Sequence, residues 1–273
     1  MKKVHLWLLL LPGLLFLTIF MIIPIFMTIG STFYHEGEFT VEGYVKLLSD
    51  PYMLKILGTT LQVSFVTTLV CILLGFPTAY YISKTKARTK GILLMLALFP
   101  LLTSAIVRSF SWMVILGKNG LVNQFLLGIG LIDDPLKILY TPIAMMIGMI
   151  HLFLPLMIIS LVGVMENIDG DLLQASESLG ASRWKGFMSI IVPLCVPGLI
   201  VGSILVFVGS LTAYTTPQLL GGKQRVIATF LYQNAMTLND WYMASIIATV
   251  MIVITFIIIG LMNRLARKLN PKG

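Results

Sequence analysis

The residues able to do chemistry are few and scattered. His5, His35 and His151 share no metal-binding spacing of the H-E-x-x-H kind. Cys71 and Cys195 each sit alone inside an apolar run, where a thiol acts as a small hydrophobe. Gly117-Lys118-Asn119 and Gly222-Lys223-Gln224 lack the hydroxyl residue and the leading glycine of a phosphate loop. The chain is therefore expected to hydrolyse no ATP by itself, to hold no cofactor and to be no enzyme. No carboxylate falls inside a long apolar segment, where a proton-coupled carrier would place its relay. His151 is read as a packed or hydrogen-bonded histidine. Arg108 is the one formal charge within such a segment. An ionisable group there is costly and by default functional; alternatively it snorkels outward along about 12 Å of helix.

The elements that carry these residues follow from composition. Of 273 residues, 58% are hydrophobic and only 11% charged, so a water-soluble domain is excluded. Six stretches approach or exceed the roughly 20 apolar residues that cross a bilayer: 6–29, 57–82, 91–116, 138–165, 194–216 and 241–263. None alternates as a barrel strand would. The first run outlasts a signal-peptide core, so it is expected to be a retained span. With the N-terminus inside, twelve basic residues lie on the inner side and six on the outer. The positive-inside rule then puts both ends in the cytoplasm, and the net charge of +8 reflects topology rather than nucleic-acid binding. The basic run 84–90 reads as a membrane anchor. Stretch 120–132 is apolar but too short to span, and Pro77 predicts a kink in the second span.

The loop 166–185 differs from the rest. Asp171-Leu172-Leu173-Gln174 has the form of a capping box, Leu172, Ser176 and Leu179 fall on one helical side with Leu173 beside them, and Gly180 is a natural stop. A soluble helix this short is marginal alone and needs a partner surface.

That helix carries a recognisable spacing. Gln174-Ala175-Ser176, three residues, Gly180, nine residues, then Ile190-x-Val192-Pro193 resembles the signature EAA-x3-G-x9-I-x-L-P of binding-protein-dependent ABC importer permeases. Gln174, Ser176 and Val192 depart from the pattern. The loss of a glutamate charge at 174 puts any ion pair made there in doubt. Residues 74–81, 100–112, 120–123, 140–142, 216–222 and 239–241 are similar to stretches of spermidine/putrescine permeases. Ferric-iron, opine and phosphonate permeases carry comparable ones.

The resemblance implies an all-α, six-helix type I importer permease (MetI-like) fold in a bacterial cytoplasmic membrane. Residues 1–55 would form the first helix and external loop, 56–268 the permease core with a coupling helix near 169–180, and 269–273 a tail. It implies an ATPase-coupling set (Leu172, Leu173, Gln174, Ala175, Ser176, Leu179, Gly180). It also implies a second permease subunit, a cytosolic ATPase dimer that binds ATP and Mg, and an extracytoplasmic binding protein. The cargo it implies is a polyamine, with the related cargoes as alternatives. An organic polycation can be held on aromatic faces. The pathway candidates are Trp112, Tyr214 and Phe110, with Ser104, Thr212, Thr215 and Arg108; each could instead be helix packing or an interfacial belt. Two rival classes are a stand-alone carrier or channel and a structural membrane anchor.

Overall fold

The computed structural model describes residues 3–35 and 37–269. Lys2 and Lys272, counted above as inner charges, the external Glu36 and the tail 270–273 lie outside the described residues. The first span begins as Lys3–Leu17, passes a π turn at Thr18–Ile22 and continues as Ile23–Ser31 (together α1). Then come α2 (Glu42–Ser49), α3 (Pro51–Ser83), α4 (Ala87–Leu102), α5 (Ala105–Leu116) and α6 (Leu121–Gly128). They are followed by α7 (Pro142–Met165), α8 (Asp171–Ser178), α9 (Arg183–Thr212, with a π turn at Phe187–Ile191), α10 (Thr215–Leu220), α11 (Ile227–Tyr232) and α12 (Trp241–Leu269). A two-residue antiparallel hairpin, Tyr34–His35 with Glu38–Phe39, adds a trace of β structure.

Among the described residues five helices are long and apolar enough to cross a membrane, and a bent pair, taken as one span, brings the number to six. The bent pair corrects the sequence reading. Residues 91–116 are not one helix: the chain turns by 93° at Thr103-Ser104, which are extended (ψ 148° and 133°). Helix α3 runs through Pro77 as one element. Stretch 120–132 forms the short α6. Asn123 there is buried and ties α6 to the following loop, accepting from Leu136 N at 2.8 Å and donating to Leu136 O at 3.0 Å.

The chain packs as two compact units. One holds the residues up to Leu54 with Phe230–Ile254. In it Gly43 faces Ile246 and Tyr242 so closely that a Cβ would sit 2.3 Å from Ile246 Cδ1, and Thr32 Oγ1 meets Tyr44 OH at 2.6 Å.

The other unit, Lys55–Thr229 with the end of α12, is centred on α7 and α9. Apolar side chains gain little by leaving lipid for protein, so spanning helices associate through close backbone approach. Gly198, Gly202 and Gly209 of α9 supply that approach. An added Cβ would meet Ser160 O at 2.9 Å, Met157 Sδ at 2.7 Å and the Phe153 ring at 2.5 Å, respectively. Ser160 Oγ donates to Gly198 O at 2.8 Å across the same contact.

Candidate functional site

Two places in this second unit collect the residues singled out above. The first is the short helix α8. Its start corrects the capping box: Gly170 is the cap residue, no side chain caps the helix, and Asp169 Oδ1 accepts the Asp171 N–H at 3.0 Å. The reason is geometric. Asp171 already has helical backbone, and a cap side chain works only from the residue outside the first turn. Its end is as expected. Gly180 sits at φ +86°, Gly180 N donates to Glu177 O at 2.9 Å and Ala181 N to Ser176 O at 3.0 Å. Those two bonds are the Schellman pair, and they need a residue free of a Cβ clash at Gly180.

The side chains of α8 divide between two faces. Ser176 is buried and Leu173 half-buried against the start of α9, where a Cβ on Gly186 would lie 2.4 Å from Ser176 Oγ and 3.0 Å from Leu173 Cδ1. Leu172 and Leu179 are exposed, Leu179 to 89%, as are Gln174 and Ala175. The single apolar side expected for Leu172, Ser176 and Leu179 is thus split. Ser176 anchors the helix to its own chain, while Leu172 and Leu179 face outward, with Leu179 standing past the last helical turn as the cap. The aromatic rings of Trp184, Phe187, Tyr80 and Phe76 continue the anchorage onto α3, with Tyr80 and Phe187 edge to face at 5.0 Å. A groove of about 1070 Å³ opens beside them, with Leu173 and Leu199 among its walls. Lys90 and Glu166, 2.9 Å apart, tie the start of α4 to the end of α7.

The second place is the break in the third span. The last carbonyls of α4 have no helical partner and no water in an apolar layer. Arg108, buried at 6% exposure on α5, turns back to supply the donor. Its Nη1 donates to Pro100 O, and lies 3.3 Å from both Thr103 O and Thr103 Oγ1. A cation at a helix C-terminus also meets the negative end of the helix dipole. Outward snorkelling is therefore corrected: the side chain reaches back across the bend. Its Nε is buried without a hydrogen-bond partner.

One turn further along α5, Trp112 Nε1 donates to His151 Nδ1 of α7 at 3.0 Å. His151 is hydrogen-bonded, as its sequence context suggested, but its partner lay in a different apolar segment and nothing in the spacing revealed it. Helix α5 packs against α10, which brings the helix of Ser104, Arg108 and Trp112 to that of Thr215. Tyr214 and Thr215 are half-buried at the start of α10. Thr212 is exposed at the end of α9, bonded to Val208 O at 2.9 Å, and Ser104 is exposed as the cap of α5. Phe110 stands apart. It is 52% exposed and about 200° around the helix from both Arg108 and Trp112. Two stretches chosen for their resemblance meet in space: a Cβ on Gly222 would lie 2.7 Å from Tyr140 Cβ, and both residues have positive φ. Among the described residues no cluster of histidine, cysteine or carboxylate could hold a metal ion.

The described residues form a mainly helical, polytopic chain with a short helix, α8, on the loop between α7 and α9. The chain matches the family described as binding-protein-dependent transport system inner membrane component over residues 71–271, and it belongs to that family. It is 31% identical over 264 residues to the spermidine/putrescine transport system permease protein PotB of Escherichia coli (strain K12), covering 94% of this chain and 96% of that one. It is 29% identical to the ferric transport system permease protein FbpB of Actinobacillus pleuropneumoniae, covering 91% of this chain but 36% of that one. Its fold matches a chain of the bacterial alginate ABC transporter crystallised with an alginate pentasaccharide-bound periplasmic protein. The TM-score is 0.77 at 18% identity, over 100% of this chain and 97% of the other. The chain is thus a multi-pass inner-membrane transport permease subunit with an ABC importer fold.

Proposed function

We propose that this chain is one permease subunit of an ATP-driven importer of polyamines, spermidine and putrescine being the expected cargo. The observation that carries the cargo is the near full-length identity to a spermidine/putrescine permease. The rest of the assembly follows from the family: a second permease completes the pathway, and a binding protein delivers cargo from outside. A cytosolic ATPase dimer binds ATP and Mg and hydrolyses the nucleotide. Both termini face the cytoplasm. Helix α8 couples the two halves. Leu172 and Leu179 enter the ATPase surface, while Ser176 and Leu173 transmit its movement into α9 through Gly186. Closure of the ATPases draws the coupling helices together and turns the pathway outward.

No carboxylate of this chain falls inside a long apolar segment, so a polycation crosses that layer without one from this subunit. Arg108 does not simply repel it, because its guanidinium is matched by the carbonyl end of α4. Trp112 and Tyr214 offer aromatic faces, each worth about 0.5–2 kcal/mol to a cation depending on desolvation. Ser104, Thr212 and Thr215 offer polar neighbours. Phe110 faces out of this group and serves the lipid or the partner subunit.

The test is uptake of labelled spermidine and putrescine in cells with and without the gene, with ferric iron and an aminophosphonate as controls. Selective loss of polyamine uptake is the expected result. Normal polyamine uptake with loss of ferric iron would give the cargo to the second reading, which the ferric permease relative supports.

A further inference from the structure

The hydrogen bond between α5 and α7 has a consequence for cargo. Trp112 and His151 are both half-buried, and their rings meet edge to face, with centroids 5.6 Å apart and planes at 77°. The indole N–H lies in the ring plane, so an acceptor on it must sit at the rim of the indole. A residue filling the same space by stacking would cover a face instead. Leucine would fill the gap as well, but it would leave the indole N–H without a partner in an apolar layer. The acceptor found here is a side chain, His151 Nδ1 at 3.0 Å. An imidazolium has no lone pair at Nδ1, so the ring that accepts this bond is neutral and adds no charge beside Arg108. The bond is also well placed to hold α5. Gly148, three residues before His151, lets α10 approach α7 closely: a Cβ there would lie 2.6 Å from Thr216 Cγ2. Thus α5 is held against α10 on one side and latched to α7 by Trp112.

We propose that His151 is a positioning residue for cargo recognition. By accepting the Trp112 N–H it fixes the indole so that its π faces remain presented to an organic cation in the pathway. The proposal rests on the polyamine reading above. Nothing but geometry passes between the two residues; no proton or covalent bond changes hands.

The experiment uses the complete complex in proteoliposomes with its loaded binding protein, and reads the initial rate of spermidine uptake. His151→Leu removes the acceptor and should lower the rate about five- to tenfold, the worth of one hydrogen bond. His151→Asn restores an acceptor oxygen where Nδ1 stood and should stay within about twofold of wild type. In a Trp112→Phe background the donor is gone, so adding His151→Leu should change the rate no further. With Trp7, Trp184 and Trp241 replaced by Phe, Trp112 is the one tryptophan of this chain, and the complex's emission should shift with His151→Leu and return with His151→Asn. An undiminished rate in His151→Leu, full additivity in the double variant, or an unshifted emission overturns the proposal. If His151→Leu fails to assemble, His151→Asn and Trp112→Phe still decide: an Asn variant as impaired as Trp112→Phe overturns it. A wild-type complex that moves no polyamine removes the reading beneath it. Polyamine uptake indifferent to His151→Leu removes the proposal alone.

Discussion

Helices α4 and α8 both stop abruptly within the same unit, and they solve the stop in opposite ways. Helix α8 ends among exposed residues outside the long apolar helices, where water can satisfy a stray carbonyl. A left-handed glycine and two backbone bonds suffice there. Helix α4 ends inside the spanning region, where water cannot serve, so the Thr103 hydroxyl donates to Pro100 O at 2.8 Å and a buried guanidinium is folded back onto Pro100 O and Thr103 O from the next helix. The surface solution is local and nearly free of cost. The membrane solution is non-local and places a charge where charge is expensive. The difference teaches where each end is fragile: α8 through its backbone conformation, α4 through one side chain four residues into α5.

Breaking the membrane end should have the largest effect. Arg108→Leu removes the charged donor from Pro100 O, which keeps only the Thr103 hydroxyl, and from Thr103 O, and should cost about 1.5–3 kcal/mol, as for hydrogen bonds made by a charged group. It should be read as a large fall in thermal stability of the detergent-solubilised complex or as loss of assembled protein. Arg108→Lys keeps the charge without the planar fork and should recover part of the loss. Breaking the surface end should cost less. Gly180→Asp forces a side chain into the left-handed region for about 1–2 kcal/mol, so the complex should still assemble. Thr103→Val removes only the hydroxyl, which donates to Pro100 O at 2.8 Å and lies 3.3 Å from the guanidinium, and should cost about 0.5–1.5 kcal/mol by the same assay. Phe110→Ala should leave the stability of this chain within about 0.5 kcal/mol, since the ring touches the outside.

The two ends also differ in how far they could be read from sequence. Gly180 announces the end of α8 because glycine after an amphipathic run has one common meaning. The spacing from Gln174 to Pro193 then named the family. The break at Thr103-Ser104 was silent: apolar residues run on both sides, and neither a glycine nor a proline stands at the bend itself. Arg108 was conspicuous, but its partner is a set of carbonyls, which no residue pattern encodes. The small-residue spacing of Gly198 and Gly202 was visible and would have located the α7–α9 contact. The Asp171 capping box failed by position, since the same residue types cap only from outside the first turn. Trp112 was chosen for its ring; that its N–H reaches His151 depends on how two distant spans pack.

If α8 joins nucleotide hydrolysis to polyamine movement, the two must part when the end of α8 is broken. The direct measurement follows ATP hydrolysis and labelled spermidine uptake on the same proteoliposomes, containing both permeases, the ATPase dimer and the binding protein, for wild type and Gly180→Asp. Wild type should accumulate spermidine, with hydrolysis that rises with loaded binding protein. In Gly180→Asp hydrolysis should persist, while its stimulation and the uptake are lost. Stimulation and uptake both at wild-type levels in Gly180→Asp would contradict the coupling role of α8.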